Sequence, residues 1–196
     1  MATIQEKTLI SKETLMKFTQ VNSAMDSNLV SAALYIAQDM YLEQYLGTAL
    51  IQKLKTDINA WSGIYDTLMS EHVPKVLSWW TLYELYPMMW IKHDNGGLYR
   101  RTTDDTETIS STDLGNLRSE AKSRAEAYTQ RLINFLLANA ASIPEYNNNT
   151  WPNKAPKVNA FNNSIMFTNS KSATSDHRND ELERYLPRNF NYPYNG

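Results

Sequence analysis

Residues 74–93 read PKVLSWWTLYELYPMMWIKH, the longest aromatic-rich stretch of the chain. Its apolar residues lie on nearly all sides of a helical repeat, which is typical of a helix at the centre of a domain or buried against other chains. Pro74 suits the first turn of such a helix, where the missing N–H group costs nothing. The pattern predicts a helix to about His93, with Pro87 kinking it or splitting its end, and with Asn95-Gly96-Gly97 terminating it.

Shorter amphipathic helices are predicted before this segment. Ser11 is placed as the N-cap of a helix that ends near Thr19, and Asp26 or Ser27 as the cap of a longer one. Gly47 suits the end of the longer helix because glycine readily adopts positive φ. The next helix restarts at Thr48, so the two helices are expected to meet in a corner.

Two β-prone runs follow the central segment, at residues 98–103 and 106–110, on either side of Asp104-Asp105. They predict a small β-hairpin with its turn at the two aspartates. Asp113 is then expected to cap the longest helix, from about Leu114 to Ala140. The inward stripe of that helix is predicted to be Leu117, Ala121, Ala125, Tyr128, Leu132, Phe135 and Leu136.

The last fifty or so residues differ from the rest of the chain. From Pro144 to Gly196 the chain contains five of its seven prolines and twelve asparagines, with almost no apolar periodicity. We therefore predict a helical domain over residues 1–146 and an extended C-terminal arm over residues 147–196. The predicted fold class is mainly α, a bundle of about five helices with a small β-hairpin and the long arm.

Composition limits the function further. Charged residues make up 20% of the 196 residues and the net charge is −2, which offers no long-range attraction for nucleic acid. The absence of cysteine excludes disulfides, thiolate metal sites and cysteine catalysis. The N-terminus lacks the apolar core of a signal peptide, and no apolar run approaches the length of a membrane span. The sequence predicts a soluble protein with no membrane partner.

We find no pattern that indicates catalysis. His72, His93 and His177 lack the spacing of a zinc site, so surface or helix-end positions are the favoured interpretation. Asp104, Asp105 and Glu107 form an acidic cluster without the glycine and spacing of a calcium loop, which favours a solvated hairpin tip. We predict no catalytic, metal or cofactor residues, and no enzyme.

Two blocks of packing positions carry a family resemblance. The first is Leu9-Ile10-Ser11-x2-Thr14-Leu15-x2-Phe18, followed by Ala33-x2-Ile36-Ala37-Gln38-x3-Leu42-x3-Leu46-Gly47-x2-Leu50-x3-Leu54. The second is Leu117-Arg118-x-Glu120-Ala121-x3-Ala125-x2-Tyr128-x2-Arg131-Leu132-x2-Phe135-Leu136, closing in Ile143-Pro144-Glu145-Tyr146. These blocks resemble the head–tail connector proteins of tailed bacteriophages, also called neck-ring or portal-adaptor proteins, in particular those of crAss-like phages. The resemblance covers residues 9–146 and does not include the arm.

The resemblance implies a virion protein that is assembled in the bacterial host cytoplasm and located in the phage neck. It implies a homo-oligomeric ring of twelve copies that docks on the portal protein, contacts other neck and tail ring proteins, and extends the DNA channel without sequence-specific binding. A tail-completion or capsid-associated assembly protein with the same helical domain is the alternative.

Aromatic side chains of the central helix and the arm are the candidates for partner contacts, because aromatic anchors dominate protein interfaces. They are Trp79, Trp80, Tyr86, Trp90, Trp151, Phe161, Phe167, Tyr185, Phe190, Tyr192 and Tyr194. Asp104, Asp105 and Glu107 are the candidates for a weakly charged or acidic channel lining.

Overall fold

The computed structural model describes residues 7–58, 60–94, 97–100, 109–147 and 154–161, with the backbone alone for residues 92–94 and 97–100. Within these residues the protein is mainly helical, which confirms the predicted fold class. The helices, in chain order, are α1 (Lys12–Phe18), α2 (Ser27–Ile36), α3 (Glu43–Leu46), α4 (Thr48–Thr56), α5 (Ile64–Thr67), α6 (Val73–Trp90), α7 (Ser111–Ala138) and α8 (Pro144–Asn147). A 3₁₀ turn, Ala140–Ser142, lies between α7 and α8.

The first two helices begin at the predicted caps. The Ser11 hydroxyl accepts a hydrogen bond from the Thr14 amide at 3.3 Å, and the Asp26 carboxylate accepts one from the Asn28 amide at 2.9 Å. These side chains satisfy amide groups that the first turn of a helix leaves without partners. Gly47 has φ 78° at the junction of α3 and α4, so the predicted glycine stop is confirmed.

Two π-helical segments interrupt the α-helical geometry without ending the helices. Ala37–Leu42 joins α2 to α3, and Leu68–His72 joins α5 to α6. The predicted helix with Pro74 in its first turn is confirmed, because α6 begins at Val73, directly after the second π-helical segment. A proline N atom cannot donate to the α-helical ladder, and the π-helical segment ends directly before Val73-Pro74.

The end of α6 and the hairpin differ from the prediction. The helix ends at Trp90, and strand β1 (Ile91–Asp94) pairs antiparallel with strand β2 (Gly97–Arg100). His93 therefore lies in a strand and not at the end of a helix. The antiparallel pairing of residues 91–94 with residues 97–100 gives their backbone groups hydrogen-bond partners in a strand, and this outweighs the helical pattern before it. The predicted hairpin turn at Asp104-Asp105 lies outside the described residues.

Helix α7 begins three residues earlier than predicted. Ser110 is its N-cap and accepts a hydrogen bond from the Asp113 amide at 3.1 Å, so Asp113 is the third helical residue and not the cap. Ala121, Ala125, Leu132 and Leu136 are buried as predicted. Leu117 is 36% exposed, so its prediction as part of the buried stripe is wrong.

Helix α6 occupies the centre of the fold, between α2 on one side and α7 on another. Its buried residues belong to two apolar clusters, one shared with α4, α7 and α8, the other with α1 and α2. Among the described residues, no helix combines the length and the apolar character that a membrane span requires.

Residues 154–161, which we call the strap, lie against the helices. The Thr48 amide donates to the Lys154 carbonyl at 3.2 Å, and the Lys157 amide donates to the Gln44 carbonyl at 2.8 Å. The strap belongs to the predicted arm, whose boundary was placed at residues 146 and 147. Its hydrogen bonds to the helices show that this part of the arm packs on the helical domain.

Candidate assembly surfaces

Trp80 is the centre of the aromatic contacts of α6. Its ring stacks on Tyr41 with a centroid distance of 4.1 Å and an interplanar angle of 5°, and its indole N–H donates to Thr129 Oγ1 at 3.0 Å. Only 3% of Trp80 is exposed. The side chain therefore holds the first π-helical segment, α6 and α7 together, and it is not available at a surface, contrary to its prediction as an interface residue.

A polar group borders this aromatic stack. Tyr41 donates to Glu84 Oε1 at 2.5 Å, and the same oxygen lies 3.9 Å from Arg118 Nη2. The Arg118 guanidinium also lies 4.1 Å from the centre of the Tyr83 ring. Burial, together with the hydrogen bond to the Glu84 carboxylate, raises the pKa of Tyr41. These contacts cross-link α6 and α7 near their partly exposed face.

The other aromatic candidates of α6 lie nearer the surface. Trp79, Tyr86 and Trp90 are each partly buried, and the Arg124 guanidinium lies 4.7 Å from the centre of the Trp79 ring. Burial raises the pKa of Tyr86, with a further contribution from the Glu120 charge. These three side chains are partly exposed, and their predicted contacts with partners stay predictions.

Gln38 holds the N-terminal segment in a way that the sequence analysis did not predict. Its side chain is buried, accepts a hydrogen bond from the Leu9 amide at 2.9 Å and donates to the Lys7 carbonyl at 3.2 Å. Both groups of the carboxamide are thereby paired with the backbone of an extended segment. The only sequence signal is a glutamine on the buried side of an amphipathic helix.

The strap is attached mainly by polar contacts at the corner of α3 and α4. Lys154 donates from its amide to Thr48 Oγ1 at 3.0 Å, and its ammonium lies 3.4 Å from Glu43 Oε2. Lys157 Nζ donates to Gln44 Oε1 at 2.7 Å. Gln44 lies in the last turn of α3 and Thr48 is the first residue of α4. The strap therefore gives hydrogen-bond partners to the Gln44 carbonyl and the Thr48 amide, which have no partners within their own helices.

Farther along the strap, Ala160 donates from its amide to Gln130 Oε1 at 3.2 Å, and its side chain packs with Tyr45 and Ile133. Of the eight side chains in this wholly described segment, only Ala160 is buried. Val158 and Phe161 are exposed by 62% and 41%. The strap therefore presents its large apolar side chains to the outside.

The described residues contain six clearly exposed large apolar side chains, namely Met40, Ile109, Leu117, Leu137, Val158 and Phe161. Val158 and Phe161 belong to the strap, whereas Leu117 and Leu137 lie in the second and last turns of α7. Ile109 directly precedes Ser110, the N-cap of α7.

A cleft of about 360 Å³ lies beside the N-terminal segment. The hydroxyl groups of Thr8, Ser11 and Thr14 line it together with the side chains of Trp61 and Met69. The lining contains no charged residue. We assign no ligand to this cleft.

The predicted histidine and acidic positions are not brought together in the described residues. His72 stacks on Phe135 with a centroid distance of 4.3 Å, and burial lowers its pKa. Within the part of the chain that the structure describes, no group of three or more His, Asp or Glu side chains is positioned to hold a metal ion. His177, Asp104, Asp105 and Glu107 lie outside that part.

The remaining interface candidates also lie outside the described residues. They are Trp151, Phe167, Tyr185, Phe190, Tyr192 and Tyr194. Their predicted contacts with partners stay predictions. Among the aromatic interface candidates of the arm, Phe161 alone lies in the described residues.

No curated protein and no solved structure matches this chain. A family described as "Family of unknown function (DUF6712)" matches residues 12–155, well over half of the chain. The match includes all helices and the first two residues of the strap. The chain belongs to this family, DUF6712.

Proposed function

We propose that this protein is a structural component of a phage virion, forming a ring in the neck that docks on the portal, links the head to the tail and extends the DNA channel. The proposed role is assembly and not catalysis. It places the protein at the head–tail junction, in contact with the portal and with other neck or tail ring proteins.

The observation that carries the proposal is the strap. It is fixed to the helical domain through backbone and lysine contacts, yet it turns Val158 and Phe161 outward. Contiguous apolar surface that stays exposed on a folded domain is a mark of protein–protein contact sites. A segment that is ordered on its own domain and apolar on its outer side is suited to contact another protein.

Two further observations support the proposal. The resemblance to head–tail connector proteins extends over residues 9–146, and the helical bundle is the fold that the resemblance implies. The net charge of −2 suits a channel protein that does not bind DNA tightly, because tight binding relies on neutralising phosphates with Lys and Arg.

The test is electron microscopy of neck complexes isolated from virions, combined with cross-linking. We expect this chain in a closed ring, cross-linked to the portal protein. Cross-links to tail subunits or to the major capsid protein, without the portal, would favour the tail-completion or capsid-associated alternative. A monomer that is absent from purified virions would contradict both.

A further inference from the structure

The strap covers a small apolar cluster on the helical domain. Ala160 packs there with Tyr45 of α3 and Ile133 of α7, which are 8% and 0% exposed. This cluster is separate from the two clusters that α6 shares with the other helices. Tyr45 and Ile133 belong to the helices, whereas Ala160 is the contribution of the strap. The strap is therefore part of what shields those two helical side chains from water.

The strap is held more weakly than the helices hold one another. Its one buried side chain is the methyl group of Ala160, and burial of apolar area is the main source of folding free energy. Lys154 and Lys157 bond to the corner of α3 and α4 through groups that are exposed to water. Such exposed hydrogen bonds and ion pairs contribute little, because water competes for the same groups. Leu132 and Leu136 of α7, by contrast, are fully buried in the largest cluster.

No helix has to move for the strap to leave. Five of its eight residues are exposed, so its outer side is open within the described part of the chain. The Thr48 amide and the Gln44 carbonyl bond to the strap and not within their own helices, so no helical hydrogen bond breaks with them. Segments with little buried apolar area and exposed backbone hydrogen bonds are those that open locally while the rest of a domain stays folded.

We infer that the strap is a releasable cover: residues 154–161 detach together from the folded helical domain and uncover an apolar site formed by Tyr45 and Ile133. In the closed form the chain fills this site with its own Ala160. In the open form the site lies beside the freed Thr48 amide and Gln44 carbonyl. The inference concerns contacts within one chain, so it stands or falls independently of the proposed ring.

The absence of cysteine makes release measurable in the full-length protein, because an introduced thiol is the only one present. Ala160→Cys places that thiol under the strap, and Ala125→Cys places it in the largest apolar cluster of the helical domain. Both alanines are buried, at 5% and 0% exposed. An aromatic disulfide reagent, too large to enter either site, reacts with each thiol when the site opens.

The thiol at position 160 is expected to react at least about 100-fold faster than the thiol at position 125, because the strap opens more often than the helices unfold. A low concentration of urea should change the first rate little and raise the second steeply, since release of a surface segment exposes little area. Equal rates would overturn the inference, because the strap would then leave only when the whole domain unfolds. A thiol at position 160 that reacts as fast as free cysteine would overturn it too, because the strap would not be closed.

A second substitution tests the contact that holds the far end of the strap. The Ala160 amide donates to Gln130 Oε1 at 3.2 Å, and Gln130 Nε2 donates to Asn134 Oδ1 at 3.1 Å. Adding Gln130→Ala to the Ala160→Cys chain should speed labelling about three- to tenfold, because one hydrogen bond of the closed form is lost. Asn134→Ala is the matched control, since it leaves the bond to the strap in place and should leave the rate unchanged. Equal rates in all three chains, or equal acceleration by both substitutions, would overturn the inference.

Hydrogen exchange on the unmodified protein keeps the test valid if a cysteine variant does not fold. The amides of Thr48, Lys157 and Ala160 all donate across the contact between the strap and the helices. They should share one protection factor, at least about 100-fold lower than that of the Leu132 amide in α7. Protection equal to that of Leu132, or no protection at all, would overturn the inference.

Discussion

The hydrogen bond between the Trp80 indole and Thr129 is a buried polar contact whose contribution to stability can be measured. Thr129 Oγ1 accepts from the indole N–H at 3.0 Å and donates to the Ala125 carbonyl at 2.7 Å. Thr129→Val has nearly the same shape but neither hydrogen-bonding function. The indole N–H is then left buried without an acceptor, since Trp80 is only 3% exposed.

The expected cost follows from this burial. Leaving a buried donor unpaired costs about 1–3 kcal/mol. For a chain of this size, each kcal/mol corresponds to about 2–4 °C in melting temperature. We therefore expect Thr129→Val to lower the free energy of unfolding by about 2 kcal/mol and the melting temperature by about 4–8 °C.

Thr81→Val is the matched control in the same pair of helices. Thr81 is also fully buried, and its hydroxyl donates to the Leu77 carbonyl at 2.6 Å within α6. The Leu77 carbonyl also accepts a backbone hydrogen bond of the helix. Removing the Thr81 hydroxyl is therefore expected to change the free energy of unfolding by less than about 0.5 kcal/mol. Urea unfolding at a fixed protein concentration measures both variants. Equal shifts for the two would refute the assignment of the cost to the indole.

Three further predictions concern other parts of the fold. Gln38→Leu removes the hydrogen bonds of the Leu9 amide and the Lys7 carbonyl. It should therefore speed amide exchange at Leu9 and lower the free energy of unfolding by about 1–3 kcal/mol. Unchanged exchange at Leu9 would contradict the assigned bond. A Cβ at Gly63 or Gly115 meets no atom of the described residues within 4 Å, but Gly63 has φ 59°. Thermal unfolding should therefore show Gly63→Ala destabilised by about 1–3 kcal/mol and Gly115→Ala stabilised by about 0.5–1 kcal/mol, and shifts of the same sign would be inconsistent with this reasoning. Burial and the hydrogen bond to Glu145 raise the pKa of Tyr65 to about 12 in the folded protein. The contribution of the protonated Tyr65 side chain to the free energy of unfolding is therefore complete below about pH 10 and is lost as the pH rises toward 12. Melting temperature against pH should fall less steeply over that range for Tyr65→Phe than for the wild type; parallel curves would argue against the raised pKa.

Much of the helical architecture follows from local sequence signals. The caps at Ser11 and Asp26 and the stop at Gly47 were predicted because a short polar side chain or a glycine acts within one turn of its own position. The buried residues of α7 were predicted in large part from their spacing. Such features need no knowledge of the rest of the fold.

The errors arose where distant or competing interactions decide the structure. Trp80 was placed at an interface because a helix that is apolar on all sides does not reveal which side faces its own domain. Tyr41 and Thr129 supply that information, and they come from two other helical segments. The end of α6 was misplaced because strand pairing with residues 97–100 overrode the helical pattern. The strap was assigned to the arm because polar contacts with helix ends leave no apolar repeat in the sequence.

The contact between Thr48 and Lys154 spans 106 positions of the chain, which has a consequence for synthesis on the ribosome. The N-terminal part of the protein emerges first, and its helix corner must wait for nearly the whole polypeptide before residues 154–157 arrive to complete it. A prematurely terminated product that lacks those residues would carry an incomplete corner and no outward-facing Val158 or Phe161. Truncated chains would in this way be excluded from any contact that the strap makes, without a separate proofreading factor.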